Sequence, residues 1–130
     1  MRWYTHIIGM LSLMAVANRF LPLNALSIAL AVIGSIAPDL IERMFALGHR
    51  NKYVHNFLTG AVALFTSAII EADAFTFGLG YVHHLILDIT RGGVFVGKKR
   101  VRGVLDAMNP LHNALVILLH LLLLLTIIRV

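Results

Sequence analysis

Residues 111–128 read LHNALVILLHLLLLLTII, a stretch with no charged side chain. A run of this kind is the signature of a transmembrane helix, since about 20 residues at 1.5 Å each cross a hydrocarbon layer about 30 Å thick. Upstream of Leu111 to Ile128, four more apolar runs are candidate spans: Thr5 to Ala17, Leu23 to Leu40, Val54 to Ile70 and Ala74 to Ile89. None alternates with period 2 as a barrel strand does, and in lipid only helices or closed barrels satisfy their backbone. The expected fold is therefore all-α, a polytopic membrane bundle of about five helices forming one domain over residues 1–130. Composition points the same way: 59% of the 130 residues are hydrophobic, 13% are charged, and the mean hydropathy is +0.87. Ordinary soluble, disordered and fibrous chains are excluded.

The third and fourth runs are joined only by Glu71, Ala72 and Asp73, so they should form an antiparallel hairpin. The third is short for a full crossing. Arg2, Arg43, Arg50, Lys52, Arg91, Lys98, Lys99, Arg100 and Arg102 all fall on one side if the runs alternate, against Arg19 and Arg129 on the other. By the positive-inside rule the N-terminus is cytoplasmic and the 91–110 segment is a basic cytoplasmic loop of an inner-membrane protein. Within it Val94-Phe95-Val96 and the residues after Gly97 suit a short hairpin at the headgroups. Arg2, the first apolar run and Ala15-Val16-Ala17 also fit a cleaved signal peptide, a competing reading that would discard His6. No cysteine is present, so disulfides, thiolate zinc sites and a cysteine nucleophile are excluded. The net charge of +5 suits anionic lipid and nucleic acid equally.

Ionisable side chains near hydrocarbon are costly and by default mark a site. Here they gather on the cytoplasmic side: His6 at the start of the first run, Asp39 at the end of the second, His49 and His55 leading into the third, His84 and Asp88 near the end of the fourth. Helical bundles assemble metal sites in this way, from side chains on several helices. His84 and Asp88, spaced i and i+4, share a helix face. His83 points about 100° away and is the weaker ligand. His112 reads as a polar cap held in reserve as a ligand, and His120, alone among leucines, as a structural histidine bonded to a neighbouring helix.

Thr5-His6, Gly34-Ser-Ile-Ala-Pro38-Asp39, His49-Arg50 with His55-Asn56, and Gly80-Tyr81 leading through His84 and Asp88 to Thr90 and Gly93-Val94 occur in that order. In this the chain resembles the YdjM-like family of membrane-bound metal-dependent hydrolases, described as LexA-regulated or LexA-binding inner-membrane proteins. The resemblance covers roughly the first three quarters of the chain. It implies that His6, Asp39, His55, His84 and Asp88 are metal-site positions and that His49 belongs to the same polar cluster. The His49-to-His55 spacing is one residue longer than the family's, Val54 stands in place of a threonine, and Ile41 stands where the family often has a second acid, with Glu42 next.

A mixed imidazole and carboxylate set suits a divalent metal, zinc first and manganese or iron next, as one ion or two. The expected function is metal-dependent hydrolysis at the cytoplasmic membrane face, through a metal-activated water, of a phosphoester such as a phospholipid headgroup or phosphodiester. His49 and Arg50 are the catalytic candidates, with Arg50 and Arg91 clamping phosphate and Lys98 to Arg102 holding anionic lipid. The alternatives are a non-enzymatic membrane protein binding metal, haem between His6 and His84, or a regulator or nucleic acid on the basic loop.

Overall fold

The computed structural model describes residues 2–90, 93–106 and 108–128; Arg91 and Arg129 lie outside the described residues. Five helices are present among them: α1 (Trp3–Ala17), α2 (Ala25–Met44), α3 (Phe57–Ile70), α4 (Ala72–Ile89) and α5 (Pro110–Ile128), with a two-stranded hairpin, β1 (Val94–Val96) and β2 (Lys99–Val101), between α4 and α5. Each helix matches one of the five apolar runs to within a few residues. α2 and α5 are long and apolar enough to cross a membrane, whereas α1 and α3 are shorter apolar helices. At 14 residues α3 is about 21 Å long, in keeping with the expectation that it is short.

Helix boundaries follow local chemistry. Asn24 caps α2 by accepting from the Ser27 N–H at 2.9 Å, and Asn56 caps α3 by accepting from the Leu58 N–H at 3.0 Å. His55, expected to open the third helix, therefore lies in the loop ahead of the cap. Only Glu71 separates α3 from α4, a tighter connection than the three-residue turn expected. Across the same end Asp73 accepts hydrogen bonds from Asn24 and Ser27, tying the start of α4 to the start of α2.

α4 is the central element, with α2 on one side and α3 on the other; α1 packs on α2 and carries α5. The α2–α4 contact depends on absent side chains. A Cβ at Gly80 would collide with the Ala31 carbonyl, and one at Gly34 with the Phe77 carbonyl, so these two glycines let the backbones approach as in tightly packed membrane helices. Met10, Met14 and Ala31 form one buried cluster, and Ala37, Tyr81, Leu85 and Val94 another. Outside these, large apolar side chains face outward on most helices, including Leu118, Leu119 and Leu122 on α5.

The hairpin forms where Val94, Phe95 and Val96 were expected to pair, with Phe95 opposite Arg100 and Gly97 turning the chain at φ +60°. It is fastened to the loop before α3: the Phe95 N–H donates to the His55 carbonyl at 2.7 Å, and the Asn56 amide donates to the Gly97 carbonyl at 3.1 Å.

Candidate metal centre

The start of α1, the end of α2, the loop before α3 and the end of α4 meet at one end of the bundle, and each delivers there an imidazole or carboxylate that could hold a metal ion. Pro38 places Asp39 in the penultimate turn of α2, with Glu42 one turn later on the same face. The loop from Phe45 to Asn56 then folds back over Glu42. Its carboxylate accepts the Arg50 N–H at 2.9 Å and the Asn51 N–H at 2.6 Å, which holds Arg50 at φ +60°, a conformation uncommon outside glycine. The same loop is pinned at its far end by the Tyr81 hydroxyl, which donates to the Val54 carbonyl at 2.8 Å. His55 is thereby set against α4.

Two imidazoles have their tautomers fixed by groups that can only accept. His55 Nδ1 lies 2.6 Å from Glu42 Oε1 and His84 Nδ1 lies 2.8 Å from the Ser35 carbonyl, so each Nδ1 carries the proton and donates it. The Nε2 lone pairs are left facing one another at 3.2 Å. With both rings neutral these lone pairs repel at that separation, and either a proton shared between the two nitrogens or a metal ion relieves the contact. This outer bonding to a carboxylate and a backbone carbonyl is the usual support of a metal-ligating histidine.

The carboxylates complete the set. Asp39 Oδ1 is 3.5 Å from His55 Nε2 and 3.8 Å from His84 Nε2, and Asp88 Oδ2 stands at the same two distances. Donors around a metal with bonds of about 2.0–2.1 Å are about 3.3 Å apart in a tetrahedron, close to the separations from each carboxylate to the two imidazoles. The other oxygen, Asp88 Oδ1, is 3.4 Å from His6 Nε2. His6 is fully buried, stacks on His84 with centroids 4.0 Å apart, and has no hydrogen-bond partner at either ring nitrogen. Its Nε2 has only the long approach to Asp88 and its Nδ1 has no partner, a costly arrangement for a buried imidazole that a cation at Nε2 would relieve in part. The groups His6, His84, Asp88 and Asp39, His55, His84 could each hold a metal ion. His84 has one free nitrogen and can serve one ion, whereas the two oxygens of Asp88 can serve two.

The five expected ligands, His6, Asp39, His55, His84 and Asp88, are thus brought together. Arg50 joins them: its side chain is buried and its Nε, 3.7 Å from Asp88 Oδ2, has no hydrogen-bond partner. His49 stands at the edge of the cluster, where it forms with Asp39 and Glu42 a further group that could hold a metal ion. Its side chain is 73% exposed at the rim, with Nδ1 3.6 Å from Glu42 Oε2. Glu42, left without a role by the sequence reading, is the organising acid, and its i, i+3 spacing from Asp39 was the available signal. Thr5 and the buried Asn113 were also missed; the Thr5 hydroxyl donates to Asn113 Oδ1 at 2.8 Å and locks α5 to α1 beside His6.

His83 turns away from the cluster as expected and meets His120, Nε2 to Nε2 at 3.4 Å, while His120 Nδ1 donates to the Val116 carbonyl. His120 is bonded to a neighbouring helix, as its sequence position suggested. His112 accepts the Asp106 N–H at 2.7 Å, a capping role.

For His55, burial alone would push the pKa down. The adjacent Asp39 carboxylate and the charges of Glu42 and Asp88 outweigh it and hold the imidazole above its ordinary value. A cleft of about 700 Å³ opens over the cluster, with Asp39, Asp88 and Arg50 among its lining residues. Comparison with known protein families, curated proteins and solved structures finds no match to the chain.

Proposed function

We propose that the chain is a polytopic inner-membrane protein of the YdjM-like type, N-terminus cytoplasmic, and that its cluster is the centre of a metal-dependent hydrolase acting on a phosphoester at the cytoplasmic face. The observation that carries this reading is the pair of imidazoles, His55 and His84, each anchored through Nδ1 and turning Nε2 toward the other between Asp39 and Asp88. Two neutral imidazoles with two carboxylates suit zinc before magnesium or calcium, which prefer all-oxygen shells. One ion would be held by Asp39, His55, His84 and Asp88 Oδ2, and a second by His6 and Asp88 Oδ1. Such an ion, when bound, lowers the pKa of water toward about 7 and polarises the attacked oxygen.

The chain's own residues do the rest. Glu42 and the Ser35 carbonyl keep the protons of His55 and His84 on Nδ1. Arg50, held by its backbone bond to Glu42, places a buried guanidinium beside Asp88 where it can pair with a phosphate oxygen. His49, on the cleft wall, is placed to hand a proton to the leaving oxygen as it departs. Membrane residence is supported by the two spanning-length helices and the outward-facing leucines of α5. The basic residues Arg2, Arg43, Arg50, Lys52 and Lys98 to Arg102 belong to segments at the cluster end, which suits the anionic inner leaflet.

The test is elemental analysis of detergent-solubilised protein, wild type against His84→Ala with Asp88→Ala, followed by a zinc-replete screen over phospholipids, phosphodiesters and peptides. Zinc retained by the wild type and lost from the variant, with phosphoester cleavage lost in parallel, is expected. Equal metal content in both proteins would refute the site.

A further inference from the structure

Three guanidiniums, from Arg2, Arg43 and Arg50, line the cleft over the cluster, together with three carboxylates, from Asp39, Glu42 and Asp88. The acids are turned toward the histidines and the loop backbone. Arg2, which lies over the Tyr4 ring, and Arg43 have no carboxylate partner among the described residues, and Arg50 reaches Asp88 only at 3.7 Å. Arginines short of acceptors in a concave site repel one another, and an anion offsets that repulsion.

Charge narrows the anion. The three arginines balance the three carboxylates, so one or two divalent ions on the cluster leave a surplus of about two to four positive charges. A terminal phosphate carries about −1.5 to −2 at neutral pH and so offsets more of that surplus than a phosphodiester does with its single negative charge.

Part of the lining is apolar: Trp3 is 62% exposed and Met108 65%, and Leu47 also lines the cleft. The cleft volume, about 700 Å³, suits a headgroup-sized ligand. A soluble phosphate would leave that apolar part in water.

We propose that this cleft takes the terminal phosphate of an amphiphile, a phosphomonoester or diphosphate with an apolar chain, and that Arg2 and Arg43 read its charge while the chain lies along Trp3, Leu47 and Met108. The assignment rests on the hydrolase reading above and names its substrate class. Binding precedes any chemistry and is read without turnover. Trp3 is the only tryptophan in the chain, so its emission reports occupancy of the cleft directly.

The experiment titrates zinc-loaded protein in detergent with phosphatidic acid, phosphatidylcholine or glycerol phosphate, following Trp3 fluorescence and measuring bound zinc on the same samples. A saturable response to phosphatidic acid is expected, with binding at least about tenfold weaker for the other two probes. Arg2→Gln and Arg43→Gln should each weaken phosphatidic acid binding about tenfold or more with zinc content unchanged, the loss expected for one charge-assisted hydrogen bond. Arg43→Lys should restore part of it. Equal affinity for phosphatidylcholine or glycerol phosphate, or glutamine variants that bind as wild type does, overturns the proposal. So does loss of zinc from the glutamine variants, which would place the arginines in support of the cluster. A wild type without zinc sinks the hydrolase reading and this assignment together; zinc retained without preference for phosphatidic acid sinks the substrate class alone.

Discussion

Replacing Glu42 by glutamine removes one charge and leaves the volume of the side chain almost unchanged, so it isolates what the carboxylate does. Glu42 is 4% exposed, and its Oε1 accepts from both the Asn51 N–H and His55 Nδ1 at 2.6 Å while Oε2 accepts from the Arg50 N–H at 2.9 Å. A glutamine has one acceptor oxygen. Placed at the Oε1 position, it keeps two weakened bonds and turns its NH₂ toward the Arg50 N–H, leaving a buried donor without a partner at a cost of about 1–3 kcal/mol. The second consequence falls on the metal. His55 loses the charge that makes its imidazole a good donor, and outer partners of this kind change metal affinity by about 10–100-fold, equivalent to about 1.4–2.7 kcal/mol. Zinc affinity of Glu42→Gln, measured by competition with a chromophoric chelator, should fall within that range, and the melting temperature of the metal-free protein should also drop. A folded Glu42→Gln protein that binds zinc within about twofold of wild type would refute the reasoning, because a supporting carboxylate must be felt at least at the lower bound.

If Asp88 serves two ions, His6→Ala should reduce zinc stoichiometry from two per chain to one while the Asp39, His55 and His84 ligands keep theirs; elemental analysis decides, and a wild-type ratio of one would exclude the second ion. In metal-free protein the raised pKa of His55 contributes stability that is fully present below its ordinary value of about 6.5 and is lost as pH rises through its higher folded value. Zinc competes with that same proton, so the zinc-loaded protein should show the opposite trend and lose metal as pH falls; parallel pH–melting curves with and without chelator check both signs. Gly80→Val should force α2 away from α4 against the Ala31 carbonyl and the Ser35 nitrogen, costing about 1–3 kcal/mol or more and loosening the Ser35–His84 bond. Unchanged melting in detergent would show that the close approach is dispensable.

The helices were legible because their cause is local. Uninterrupted apolar runs punctuated by Asn24, Asn56 and Glu71 place α2, α3 and α4 to within a few residues, and Gly97 marks the hairpin turn. The ligands were legible for a related reason: an imidazole or carboxylate beside hydrocarbon stands out by its cost. Glu42 was passed over because it stands one position beyond the place where the resembled family often carries its second acid, and only the loop folding over it gives it a role. His49 was legible as a member of the polar cluster, but its exposed place at the rim depends on the loop that inverts at Arg50.

Composition, periodicity and the placement of rare polar residues therefore determine the five helical elements and the set of side chains that can meet at one end. The tertiary structure decides which nitrogen of each histidine carries the proton, since that depends on Glu42 and on the Ser35 carbonyl brought up by the Gly34–Phe77 and Gly80–Ala31 approaches. It also decides which arginines remain without acids. Both are questions of hydrogen-bond geometry between segments distant in the chain, where a displacement of about 1 Å separates a bond from none.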